Sequence, residues 1–321
     1  MHNAYSDALE ALLRDHCTPA TVRQIESGGD ASVLWQRLQE SGFVDSLLPD
    51  AGLTLADVLP MLVVMGQYVM PLPLAQTTFA RALLHVAGIQ VPDAPIALAT
   101  FDGGPRTLVA DGAVAAWFLV QDGQRAALVH RDAAHVMPTG VHGDLTVSIG
   151  GMPAQGFPLP SGTLRAIGAT LHAAQMAGAM DRVFDLTLQY ANDREQFGRN
   201  IGKFQAIQHQ ISVMAEHVAA ARMTAQLACV TEGWQPDRMR AAIAKFNASE
   251  SVPTVTSIAH AVHGAIGITA ECDLQCYTRR LHAWRMADGS ERYWAREIGA
   301  AACDDERGTV DLIRAWSGEA A

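Results

Sequence analysis

The sequence predicts a mainly α-helical protein with a small β domain set between two helical parts. Three observations carry this. Apolar residues make up 49% of the 321 positions but aromatics only 6%, a mixture that favours helix-on-helix packing over a β-sandwich. Apolar residues recur at helical spacing through most of 4–90 and 164–316. Between these stretches, short apolar runs alternate with Asp-Gly pairs, the pattern of strands and turns. The expected organisation is an N-terminal helical domain over 1–94, a β domain over 95–160 and a C-terminal four-helix-bundle-like domain over 161–321.

Taken in order, Ala8, Leu9, Leu12 and Leu13 form one apolar helix face, and Val33, Leu34 and Leu38 another. Gly42-Phe43 and Leu48-Pro49-Asp50 read as breaks, and Leu55 to Tyr68 as a third helical run. Pro71 and Pro73 force an extended kink before Ala75 to Ala87 resume helix. In the middle, Pro95–Thr100, Ala115–Val120 and Ala126–Val129 read as strands. Asp102-Gly103-Gly104, Asp111-Gly112 and Asp122-Gly123 read as turns, which predicts an antiparallel unit. Pro158 to Gly162 is the best linker. Beyond it, Ile167, Leu171, Ala174, Met180, Val183 and Phe184 mark a first long amphipathic helix. Ile207, Ile211, Met214, Val218 and Ala221 mark a second. Met239 to Val262, interrupted at Pro253, gives a third, and two shorter helices follow. Long helices joined by short loops predict an antiparallel bundle.

Several function classes are disfavoured. The formal net charge is −10 and no basic tract is present, which argues against a nucleic-acid partner. The apolar runs Val58–Val69 and Ala110–Val120 are too short and interrupted to span a bilayer. No signal-peptide pattern is found. The five cysteines (Cys17, Cys229, Cys272, Cys276, Cys303) are scattered, and Cys272 and Cys276 lack the second Cys/His pair that a zinc site needs. Reduced, buried thiols in a cytoplasmic protein without a metal are expected. His260 and His263, three apart on a helix, read as packing residues.

Three stretches carry candidate chemistry. Around Tyr190 to Gln208, Arg194, Phe197 and Gly198 offer a fixed cation, an aromatic face and a flexible backbone in one turn. These suit a large anionic planar cofactor, since a guanidinium fork pairs well with phosphate oxygens; an ordinary helix-helix turn with a solvated Arg is the alternative. His263 to Thr269 places two glycines in a short turn, where backbone can approach a ligand and expose N–H donors, or simply cap a helix. In Arg285 to Glu291, Asp288 is a candidate base or the cap of the last helix.

The run from Arg194 through Gln196, Phe197 and Gly198 to Gln205 and Gln208 resembles the FAD-binding corner of the acyl-CoA dehydrogenase family. That resemblance implies that Arg194, Gln196, Phe197 and Gln205 meet the FAD of a neighbouring subunit across a dimer interface. His263 to Thr269 is similar to the family's QLHGGYGYT turn, implying cofactor contacts from His263, Gly264 and Gly267. Ala265 replaces a Gly there, and Ala261 a Gln. Arg285 to Glu291 is similar to RIYEGTSE, which implies Asp288 as catalytic base in place of Glu, with Ser290 at the cofactor. The Glu that some members carry on the first bundle helix would fall near Gly168, and no Glu occurs from Leu164 to Met180. The Arg that commonly meets CoA would fall near Ala169.

Gly42, Phe43, Leu48, Pro49, Gly52 and Leu53, then Pro71-Leu72-Pro73 and Thr77, match the family's N-terminal domain. Trp117-Phe118-Leu119-Val120 matches a strand of its middle domain. The stretches that hold the flavin ring have no counterpart, so the β domain is a reduced one. The resemblance as a whole implies an FAD-dependent dehydrogenase that desaturates an acyl-CoA thioester, in fatty acid or steroid side-chain degradation, and passes electrons to electron-transfer flavoprotein. A carboxylate buried beside the flavin has its pKa raised by desolvation and becomes a competent base. The implied assembly is a homo-oligomer or a heteromer with a second subunit of the same family, as in two-gene members with a short subunit. Two alternatives stand: a non-catalytic structural subunit that completes a partner's FAD site, and a flavin oxidase of the same superfamily with Asp as base.

Overall fold

Capping side chains start the first helices. The structure, a computed structural model, describes residues 3–151, 153 and 155–318; the outer limits expected for the first and last domains, residues 1 and 321, lie outside them. Asn3 accepts from the Ser6 N–H ahead of α1 (Ala4–His16), and Thr18 accepts from Thr21 ahead of α2 (Pro19–Glu26). A short α3 (Ser32–Glu40) follows. Thr54 and Asp57 form a reciprocal capping box at the start of α4 (Leu55–Gln67), and α5 (Leu74–Val86) begins directly after Pro73. Leu9, Leu13, Leu38, Leu55, Leu62 and Phe79 turn inward to one core shared with the later helices.

The middle segment forms two small sheets. One has the order β1 (Ile96–Phe101), β3 (Trp117–Asp122), β4 (Arg125–His130), β7 (Phe157–Pro158); the other has the order β2 (Arg106–Val109), β6 (Val147–Gly150), β5 (Met137–Pro138). The period-2 pattern divides their faces. Ala97, Ala99, Phe118, Val120, Ala127 and Val129 meet Val109, Val147 and Ile149 of the second sheet. Ile96, Leu98, Leu119 and Ala126 join the helical core instead. One expectation is corrected: β1 and β3 pair in parallel, from Ile96↔Trp117 to Phe101↔Asp122. The chain leaves β1 for the second sheet through β2, so it re-enters beside β1 in the same direction. The free edge of β1 is covered from α5, where Thr77 Oγ1 accepts from the Ile96 N–H at 2.9 Å and Gln76 Oε1 from the Leu98 N–H at 2.7 Å.

The third part is built on α6 (Thr163–Asp193), 31 residues long. Gln121 of β3 fixes its start, accepting from the Leu164 N–H at 2.9 Å and donating to the Pro160 carbonyl at 2.7 Å. Its small residues admit a close crossing with α4: a Cβ on Gly178 would lie 1.9 Å from the Val63 carbonyl oxygen, and one on Gly66 would lie 2.0 Å from that of Gln175. A two-stranded hairpin, β8 (Glu195–Gln196) and β9 (Arg199–Asn200), leads to α7 (Gln205–Ala228). Then come α8 (Arg238–His263), α9 (Leu274–Met286), α10 (Glu291–Asp304) and α11 (Thr309–Ser317).

Here too expectations are revised. Among the described residues three helices follow α8, not two. Helix α8 runs unbroken through Pro253, because Val252 and Val255 are fully buried between neighbouring helices and that packing outweighs a proline cost of about 3 kcal/mol. Of the thiols, Cys17, Cys229 and Cys276 are buried, but Cys272 is half-buried and Cys303 exposed. Burial pushes Cys17 and Cys229 up to about 12, so neither is a nucleophile at neutral pH.

A buried ion cluster ties the three parts together. Arg280 of α9 donates to Asp111 at 2.7 Å and to Glu26 of α2 at 2.9 Å, and Arg279 donates to Glu26 at 2.9 Å. Among the described residues, no helix is long and apolar enough to cross a membrane.

Candidate active site

The chemistry-bearing residues gather at two places near opposite ends of α6. At its C-terminal end, Arg194 leaves the helix and Phe197 and Gly198 form the tip of the hairpin, both with positive φ (52° and 78°). Phe197 is 90% exposed, with its ring edge-on to Phe204 at 6.1 Å. Arg199 lies over the Phe204 ring at 4.1 Å. The end of α8 comes alongside, and His263 stacks on Tyr190 at 4.5 Å and 21°. Burial lowers the His263 pKa, and its Nδ1 lies 2.8 Å from the Ala259 carbonyl.

Between hairpin and helix end lies a cavity of ≈ 400 Å³ lined by Tyr190, Arg194, Gln196, His263, Gly264 and Ile266, among others. Four of the sequence-predicted cofactor residues therefore meet: Arg194, Gln196, His263 and Gly264. Gly267 is buried behind them, where a Cβ would sit 3.0 Å from that of His263. Gln205 begins α7, exposed and off the cavity wall. Among the described residues no carboxylate pairs with Arg194. An unneutralised guanidinium beside a glycine turn and an exposed aromatic fits the phosphates and flat ring system of a dinucleotide.

Near the other end of α6, the loop between α9 and α10 carries Asp288. Its φ is +53°, a strained conformation for a residue other than glycine. Several contacts impose it. Trp294 Nε1 donates to the Asp288 carbonyl at 3.1 Å, and the Lys245 ammonium donates to the carbonyls of Arg285 at 2.8 Å and Gly289 at 3.0 Å. Arg285 and Glu291 bridge the loop ends at 2.5 Å. Lys245 is wholly buried in α8, and burial pulls its pKa down to about 7 against the attraction of Asp288 and Glu291.

The Asp288 side chain, 13% exposed, turns onto α6, with Oδ2 2.9 Å from Nδ1 of His172, which is 1% exposed. It rests on Gly168, where a Cβ would fall 2.2 Å from the carboxyl carbon. The helix-cap alternative for Asp288 is not adopted: Ser290 occupies the N-cap position of α10, without a side-chain cap bond. Asp288 and Ser290 thus lie apart from the Arg194 cavity.

On the strand side, Arg165 of α6 donates to both carboxylate oxygens of Asp102 at 2.6 Å and lies over the Tyr293 ring at 4.8 Å. This ties the end of β1 to the bundle. Trp117 is half-buried, edge-on to His130 at 4.8 Å. Among the described residues, no cluster of His, Cys, Asp and Glu could hold a metal ion.

Sequence reasoning singled out Asp288 but missed His172, Lys245, Trp294 and Tyr190. Two signals were available. Gly168 and His172 stand four apart, on one face of an Ala-rich helix, and Lys245 interrupts an otherwise small and apolar face of α8.

Comparison with known proteins gives the family. Residues 154–303 match the family model described as acyl-CoA dehydrogenase, C-terminal domain. The chain is 32% identical over 314 residues to acyl-CoA dehydrogenase IpdE2 of Mycolicibacterium smegmatis, covering 92% of this chain and 96% of that protein. Among solved structures, the ChsE4-ChsE5 complex of Mycobacterium tuberculosis superposes with a TM-score of 0.77 at 20% identity, over 96% of this chain and 99% of that one. The Tcur3481-Tcur3483 steroid ACAD (G363A variant) superposes with a TM-score of 0.79 at 22% identity, over 93% and 96%. These two share the fold. Similarity to IpdE2 along nearly the whole of both chains goes further, and it establishes that the chain belongs to the acyl-CoA dehydrogenase family.

Proposed function

We propose that the chain is a subunit of an FAD-dependent acyl-CoA dehydrogenase that introduces an α,β double bond into an acyl-CoA thioester. In this reading Asp288 takes the α-proton, and Arg194, Gln196, Phe197 and the His263–Gly264 turn complete the FAD site of a neighbouring subunit. FAD, when bound there, would supply the acceptor for the β-hydride, with electron-transfer flavoprotein as the onward electron acceptor. The observation that carries the reading is the separation of the two places on α6. Gly168 and Arg194 stand 26 positions apart, about 39 Å along a helix. One dinucleotide does not serve both ends of that span within one chain, so the corner faces outward to a second subunit.

Each residue has a definable task. The Arg194 guanidinium offers a two-pronged donor to phosphate oxygens. Phe197, almost wholly exposed, supplies an apolar face that a partner or cofactor covers. The Asp288 carboxylate, held by Trp294 and Lys245 through its loop, is preset for proton abstraction, and such general-base catalysis contributes about 10²- to 10⁴-fold. Relatives that are two-component complexes, one of them a steroid ACAD, support a heteromer acting on a bulky acyl-CoA.

A second reading keeps the fold but makes the chain a non-catalytic subunit that only completes a partner's FAD site. The Arg165–Asp102 clamp against Tyr293 favours it, because it occupies the seam between strands and bundle. The visible absorbance spectrum of the chain purified alone tests the assembly, while lost turnover in Asp288→Ala with flavin still bound separates a catalytic chain from a non-catalytic one. Stoichiometric flavin supports whole FAD sites in a homo-oligomer; a colourless protein that turns yellow on co-expression with a second family subunit supports the heteromer. A protein that stays colourless with every such partner sinks the flavin reading.

A further inference from the structure

We propose that His172 is a positioning residue for Asp288, a task for a histidine that rests on the reading of Asp288 as base. The ring is buried inside α6, and neither nitrogen has an aligned hydrogen-bond partner among the described residues. Nδ1 nevertheless lies 2.9 Å from Asp288 Oδ2. Leaving an imidazole buried without an aligned partner is destabilising, because the ring has given up its hydrogen bonds to water. The ring's aromatic neighbour Trp284, at 6.3 Å, supplies no hydrogen bond to it.

Among the described residues, the other hydrogen bonds to the 286–290 loop reach backbone atoms. Trp294 holds the Asp288 carbonyl, and Lys245 holds the carbonyls of Arg285 and Gly289. These fix where Asp288 begins; they do not fix where its carboxylate points. His172 supplies that last constraint. With the proton on Nδ1 it donates to Oδ2, which leaves Oδ1 as the atom that takes the substrate proton.

An Asp is one methylene shorter than the Glu usual in this role, so its orientation has less slack, and a misplacement of about 1 Å costs about a hundredfold in rate. Catalytic hydrogen bonds are often poorly aligned without substrate and tighten in the complex. The off-axis approach of His172 to Asp288 is of that kind. Gly168, one turn earlier on the same helix, provides the room: any larger residue there would fill the space in which the carboxylate meets the ring.

The test uses the holoenzyme, with its partner subunit if one is required, and the variants His172→Phe, His172→Gln and Asp288→Asn. His172→Phe should lower kcat about 10- to 100-fold with KM unchanged, while His172→Gln, which keeps an N–H donor, should recover most of the loss. A flavin-independent readout accompanies it. In protein labelled with ¹⁵N-histidine, the His172 Nδ1 resonance, assigned by its loss in His172→Gln, should move on Asp288→Asn. Unchanged kcat in His172→Phe beside an inactive Asp288→Asn would overturn the role of His172 and leave Asp288 as base. Full turnover in Asp288→Asn overturns the base assignment and this inference with it. If His172→Phe fails to fold, the labelled spectrum decides, and an unmoved resonance counts against the pair.

Discussion

Gly168 and Asp288 share one space: a Cβ on the glycine would lie within 2.5 Å of both carboxylate oxygens of the aspartate. The helix position and the loop position, 120 residues apart in sequence, converge on one point. Gly168→Ala should therefore displace the carboxylate, lower turnover at least tenfold and cost about 1–3 kcal/mol in overpacking. Combining it with Asp288→Gly should restore thermal stability without restoring turnover. Melting curves and acyl-CoA turnover across the four-member cycle check this, and additive stability losses would show that the two residues do not compete.

Arg194→Ala should empty the cofactor site rather than slow the chemistry. The side chain is exposed and makes no ion pair among the described residues, so the melting temperature of the chain should barely change. Flavin content of the purified assembly should fall well below that of the parent. Full occupancy would assign the corner to the bland role of a helix-helix turn.

Lys245 links stability to pH. Its folded pKa of about 7 lies below the ordinary 10.5, so between those values the unfolded chain holds a proton that the folded chain lacks. Its contribution to folding therefore becomes more favourable as pH rises through that window and is least favourable below pH 7. In Lys245→Met this dependence should vanish, and the melting-temperature difference between parent and variant should change steadily from pH 7 to pH 10. A constant difference would mean that the ammonium stays protonated on its carbonyl acceptors.

Asp181 should act with the opposite sign. Burial raises it from 3.8 to about 6, with Asp185 adding to the effect and Arg222 opposing it. A folded pKa above the unfolded one means that stability is lost as pH rises through about 4 to 6. Asp181→Asn should thus melt higher than the parent at pH 7, and the gain should disappear below pH 4. Melts at both pH values are sufficient to decide.

The outline of the fold was legible because its signals are local. Helical spacing marks α6 and α7, Asp-Gly pairs mark the strand turns, and the turn after Arg194 announces itself by composition, though not its two short strands. What escaped depends on distance. The parallel pairing of β1 with β3 follows from the route the chain takes through a second sheet, which no window of residues displays. The approach of His172 to Asp288 unites positions with no common period. Pro253 looked like a break because propensity is read one residue at a time, whereas the burial of Val252 and Val255 belongs to the whole bundle.

The buried cluster at Arg280 bears on how the chain is made. Glu26 and Asp111 lie 254 and 169 positions ahead of the Arg280 guanidinium that bonds to both, with Arg279 as the second cation on Glu26. On the ribosome the first two parts emerge with carboxylates whose shared cation has not yet been synthesised. Burying them then would leave uncompensated charge in a dry interior, a cost of several kcal/mol for each. The early helices and strands must therefore wait, loosely associated, until α9 leaves the exit tunnel. A nascent chain halted after α8 should remain protease-sensitive throughout, and a few dozen further residues should protect all three parts together.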